Sequence, residues 1–155
     1  MTVTVKTKKL DLLGDMLLGN TKYSVDIGVL EGAGKTSEGY PLAELAAVHE
    51  YGSMDLHTPE RRWIRGTFEK YNDELVQMQK GIAKKLVTTE MTVEQALGLL
   101  GTWAVNKVKT HVKKDTITPD ITQATKKAKG SSRPLIDTGL MVNSVTFRID
   151  LKGSK

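Results

Sequence analysis

Two long apolar stripes restrict what this chain can fold into. Ile64, Phe68, Tyr71, Leu75, Met78, Ile82 and Leu86 recur at steps of four, three, four, three, four and four. That spacing keeps them on one side of a helix with 3.6 residues per turn, over roughly seven turns. Val93, Ala96, Leu97, Leu100, Ala104, Val108 and Val112 form a second stripe, with Trp103 beside it. Thr92 and Gln95 precede it at the spacing of a capping box, in which each side chain bonds the other residue's free backbone N–H. Only residues 88–91 separate the stripes, so the two helices are expected to fold back as an antiparallel hairpin. The first is expected to open at Thr58-Pro59-Glu60: a hydroxyl cap, a proline at the first helical position, then an acid near the positive helix end.

The rest of the chain supplies a sheet to cover the hairpin. In "YSVDIGVL", residues 23–30, Val25, Ile27 and Val29 alternate with Asp26 and Gly28. In "SVTFRIDL", residues 144–151, Val145, Phe147, Ile149 and Leu151 alternate with Thr146, Arg148 and Asp150. A period of two marks a half-buried strand. These two are expected to pair. Two strands alone make a marginal sheet, so residues 3–5 are expected as a third strand, or a neighbouring subunit completes the sheet. The fold class predicted is α+β: a small antiparallel sheet packed against a long helical hairpin, in one domain spanning all 155 residues.

Shorter elements fill the gaps. Leu10, Leu12, Leu13, Met16 and Leu17 predict an amphipathic helix over 8–18, ended by Gly19-Asn20. Asp11 and Asp15 interrupt its apolar run, which a secretory signal would keep unbroken. Pro41 is expected to open a helix with Leu42, Leu45, Ala46 and His49 on one face, stopped by Gly52. Residues 115–134 read as a loop holding one small helix, capped by Thr122 and closed by Gly130. Asp137 is expected to cap a single turn before the last strand.

Chemistry finds few footholds. The chain has no cysteine, which excludes disulfides, thiolate metal sites and a cysteine nucleophile. No apolar run approaches the ~20 residues of a membrane span. "GVLEGAGKTSEGY", residues 28–40, looks like a phosphate-binding loop, whose glycine-rich turn cradles an anion ahead of a helix. Counting back from Gly34, the first glycine of that motif belongs at position 29, which is Val29. Pro41 also delays the helix that would hold the phosphate. The loop reads as a mobile strand-to-helix connection with Lys35 in solvent. "HEYGS" starts like a zinc-protease helix, but Ser53 stands where the second histidine belongs, so His49 reads as a partly buried helix residue. His57 reads as a turn residue, and His111 stands among lysines, a poor place for a cation. Asp73 and Glu74 are adjacent and face different sides of their helix. No carboxylate pair, G-x-S-x-G signature or cofactor motif emerges, so neither an enzyme nor a cofactor is expected.

Charge is uneven along the chain. Residues 1–100 hold 12 Lys and Arg against 14 Asp and Glu, and residues 101–155 hold 11 against 4. The basic half suits nucleic acid, an acidic protein surface or simply solvent. Lys107, Lys109, Lys113, Lys114, Lys126, Lys127 and Lys129 have little aromatic interleaving, so stacking on single strands is not expected. Any DNA binding would be nonspecific and salt-dependent.

One stretch carries a family likeness. "SSRPLIDTGLMVNSVTFRI" resembles the C-terminal signature of the bacteriophage tail-completion, or head–tail joining, proteins. Its Pro134-Leu135-Ile136-Asp137-Thr138-Gly139 run leads into a short helix and a terminal strand. "TPDITQATKKAKGSS" before it is similar to the same family. So is "LAAVHEYGS", and so is "TPERRWIRGTF", in which Pro59, Arg61, Trp63 and Phe68 match by type. Thr58 and Arg62 depart from that pattern. The resemblance spans roughly residues 42–150 and implies a non-catalytic virion protein forming a ring, most simply a hexamer, at the neck. The ring would join a tail terminator or tube protein to the portal-side connector or stopper, with DNA passing through its lumen unread. It would be assembled in the host cytoplasm and touch no membrane. A tail terminator, another minor tail protein and a nonspecific DNA-binding protein are the alternatives. Lys35, Tyr40, Arg61, Arg62, Arg65, Lys126 and Lys127 are the expected contact residues between subunits or rings. Loops 31–40 and 115–134 are expected to become ordered in assembly. Pro59, Trp63, Phe68, Pro134, Asp137, Thr138 and Gly139 are expected to hold the local structure.

Overall fold

The computed structural model describes residues 3–4, 22–88, 91–114, 117, 119 and 139–152. The helix expected over 8–18 and the small helix expected within 122–130 lie outside the described residues, as do Lys126, Lys127, Lys129, Pro134, Asp137 and Thr138. The elements run β1 (Val3–Thr4), β2 (Lys22–Val29), α1 (Leu42–Tyr51), α2 (Arg65–Lys70), α3 (Asn72–Val87), α4 (Val93–Lys114), α5 (Leu140–Asn143) and β3 (Val145–Lys152). The fold is α+β, with an antiparallel sheet in the order β1-β2-β3.

The alternating strands pair as their patterns require. Val25, Ile27 and Val29 stand opposite Ile149, Phe147 and Val145, so one face of the sheet is apolar throughout. That face lies against α4, whose Ala96, Leu97, Leu100, Ala104, Val108 and Val112 are all buried. Each Val, Leu or Ile withdrawn from water there contributes about 1.5–3 kcal/mol. Two residues of the expected third strand are present: Val3 pairs with Ile27 and Thr4 with Asp26. The half-buried reading of β2 is corrected, because residues 25–29 are buried on both faces. β2 is the central strand, and its Asp26 carboxylate lies 3.2 Å from Arg148 across the sheet.

The hairpin forms between α3 and α4. Lys107 near the end of α4 forms an ion pair with Glu74 near the start of α3, which fixes the two helices antiparallel. The capping box at its turn forms on both sides, Thr92 N–H to Gln95 Oε1 at 2.9 Å and Gln95 N–H to Thr92 Oγ1 at 3.2 Å.

The first stripe departs from expectation in two ways. It is not one helix: Tyr71, at φ −102° and ψ 22°, separates α2 from α3. One turn earlier, Thr67 Oγ1 donates to the Trp63 carbonyl at 2.7 Å, the back-bonding that bends helices. Nor does the stripe open at Thr58. Thr58 and Ser53 instead exchange backbone hydrogen bonds around a tight turn, and Thr58 Oγ1 donates to the Leu56 carbonyl at 3.1 Å. Pro59 therefore opens no helix. Arg62 adopts φ 30°, and the helix begins only at Arg65.

The cap comes from elsewhere. Glu50, only 1% exposed at the end of α1, accepts from Ile64 N–H at 2.8 Å and Arg65 N–H at 3.1 Å. A carboxylate at a helix N-terminus satisfies free N–H groups and faces the positive end of the dipole. Leu42, Ala43, Ala46 and Glu50 are the buried residues of α1, while Leu45 and His49 are half-buried, His49 as expected. Gly52 ends α1 as predicted, at φ 76°, where a Cβ would meet Glu60 N at 2.8 Å. α5 opens at Gly139 in the left-handed conformation, φ 74°, while the expected capping residue Asp137 lies outside the described residues.

Candidate functional site

A groove of about 350 Å³ opens between loop 31–40, α1, the turn 53–58 and α5. Leu42, Leu45, Val48, Leu56, Leu140 and Met141 line it, with Tyr40 at its edge and Thr36, Glu38, His49 and Thr58 supplying polar groups. Tyr40, Leu56 and Leu140 remain 39%, 54% and 45% exposed. Tyr51 and Met54, which lie on either side of Gly52 in sequence, are exposed as well, Met54 at 94%. Contiguous exposed apolar surface of this kind marks a place where a protein meets another molecule.

Each wall has a local cause. Loop 31–40 is built on its own hydrogen bonds: Thr36 N–H to Tyr40 O at 2.8 Å, Gly39 N–H to Thr36 O at 2.9 Å, and Tyr40 N–H to Thr36 Oγ1 at 3.1 Å. Leu42 N–H donates to Gly34 O at 3.0 Å, tying the loop to the first residue of α1. Of the N–H groups in the Gly34-Lys35-Thr36 stretch that a phosphate cradle would use, that of Thr36 already donates to an oxygen of the chain. The loop is compact and bonded to itself in this structure. Lys35 is exposed, with its backbone paired to Pro41. The opposite wall is the turn 53–58, closed by Leu56 N–H to Ser53 Oγ at 3.2 Å and His57 N–H to Met54 O at 3.1 Å. His57 is an exposed turn residue with φ 48°.

The three arginines expected as contact residues differ in exposure. Arg61 is buried, contrary to its expected place on a contact surface. Its Nε donates to the Pro119 carbonyl at 3.1 Å, and its Nη1 lies 3.4 Å from His49 Nδ1. Guanidinium only donates, so His49 Nδ1 is the acceptor there. Arg61 joins α1 to the chain beyond α4. Arg65 is half-buried and bridges Glu50 Oε1 and Glu60 Oε1, each at 2.7 Å, with its guanidinium 4.6 Å from the Tyr51 ring centroid. The hydrogen bond to Glu50 is the main cause that raises its pKa above the ordinary arginine value. Arg62 alone of the three is exposed, paired with Glu69 and, at 3.7 Å, with Glu60. Trp63 is fully buried and donates Nε1–H to the Ala46 carbonyl at 3.3 Å, and Phe68 is buried beside it in the core. Pro59 is exposed.

Two polar clusters escaped the sequence reading. His111 is buried under α2, with Nδ1 2.6 Å from Thr67 Oγ1 and the Tyr71 ring edge-on at 6.2 Å. The Thr67 hydroxyl thus stands between the Trp63 carbonyl and His111 Nδ1. On the sheet's outer face Arg148 reaches Asp26 at 3.2 Å and Asp150 at 2.8 Å. The two carboxylates come from strands far apart in sequence, which is why neighbouring acids alone did not reveal them. Asp150 is held below the ordinary carboxylate range chiefly by its hydrogen bond with Asp26; burial opposes this, and the hydrogen bond and charge of Arg148 add to the lowering.

Among the described residues no group of three or more His, Asp or Glu is placed to hold a metal ion, and no helix is long and apolar enough to cross a membrane. No protein-family model, curated protein or solved structure matches this chain.

Proposed function

We propose that this chain is a structural subunit of a bacteriophage neck, forming a ring, most simply a hexamer, that completes the tail and joins it to the portal-side connector. The observation that carries the proposal is the open apolar groove flanked by exposed Tyr40, Leu56 and Leu140. Its lining sets Leu42, Leu45, Val48, Leu56, Leu140 and Met141 among polar groups, a mixture that suits burial against another protein. β3 adds a second point of attachment. It pairs with β2 and ends the sheet, so its outer edge is open among the described residues. An open edge invites a strand from another chain. Head-to-tail contacts that close by rotation make rings.

In this reading the groove is a contact face and not a catalytic site, and the protein needs no cofactor. It works in the virion after assembly in the host cytoplasm, with tail terminator or tube proteins on one side and the connector on the other. DNA passes through the lumen without being read. Light scattering and negative-stain imaging of the purified protein test the proposal. A ring-sized mass with a central channel, and no salt-sensitive DNA binding, is the expected result. A monomer at every concentration, with DNA affinity falling steeply as salt rises, overturns it in favour of a nonspecific DNA-binding protein.

A further inference from the structure

We draw no further inference here: the strongest candidate, the apolar groove between loop 31–40, α1, the turn 53–58 and α5 with Met54 exposed nearby, belongs to the contact face already described, and nothing in the structure shows which molecule covers it.

Discussion

The ring of Phe147 on β3 occupies the space that a side chain at Gly101 on α4 would need. A Cβ built on Gly101 would come within 2.3 Å of Phe147 Cδ2 and 2.5 Å of Cγ. The helix meets the sheet here without a side chain of its own, which brings the layers close. Gly101→Ala is therefore expected to destabilise the fold by about 1–3 kcal/mol through overpacking, although alanine is the better helix former. Gly98, on the same helix, has nothing within 4 Å of a built Cβ. Gly98→Ala should stabilise by about 0.5–1 kcal/mol. Urea unfolding of both variants checks the pair. Equal effects of the two changes would show that the Phe147 contact does not set the spacing.

Glu50 caps α2 through two backbone N–H groups and holds Arg65 as well. Glu50→Ala leaves those donors and the guanidinium without their buried acceptor. The expected loss is about 3–5 kcal/mol, the range for breaking a buried ion pair from one side. Glu50→Gln keeps one acceptor oxygen and should lose less. A denaturation midpoint within error of wild type for Glu50→Ala would remove the carboxylate from its role as the helix cap.

The same residue shows why part of the fold was legible in the sequence and part was not. The second stripe, its capping box and the pairing of the two strands rest on local period and composition, and all three appear in the structure. The start of α2 rests on Glu50, a residue of another helix, so local cap chemistry at Thr58-Pro59-Glu60 pointed six residues too early. The break at Tyr71 leaves the apolar period intact and is invisible to it. The groove draws Tyr40, Leu56 and Leu140 from three separate segments with no shared period. The sequence marked Tyr40 among the contact residues, but only tertiary folding brings Leu56 and Leu140 beside it.

Acid should weaken the outer face of the sheet through Asp150. Its folded pKa lies below the ordinary value near 3.8. Between the folded and unfolded values the unfolded chain binds more protons, so stability rises with pH in that window. The contribution is present above the unfolded value and is lost as pH falls through the folded one. Asp150→Asn should flatten the dependence of the urea midpoint on pH below about pH 4, while differing less in slope at neutral pH. An unchanged acid limb in the variant would assign that limb to other carboxylates. High salt should have a similar, weaker effect, since Arg148 and its partners are partly open to solvent.

Charge placed in the groove tests the contact face directly. Leu56 and Leu140 are exposed in the lone protomer, so Leu56→Glu and Leu140→Glu should change its stability by no more than about 0.5 kcal/mol. If the groove is buried in a ring, each substitution forces a carboxylate into an apolar contact, where it finds no partner. Both variants should then remain folded, with wild-type circular dichroism and denaturation midpoints, yet lose the ring-sized species in light scattering. Val87 is 62% exposed and lies outside the groove lining, so Val87→Glu is the control and should assemble normally. Rings that form equally well from all three variants would move the subunit contact away from the groove. The open edge of β3 would then be the next surface to block, with proline at Thr146 or Arg148, two exposed positions of that strand.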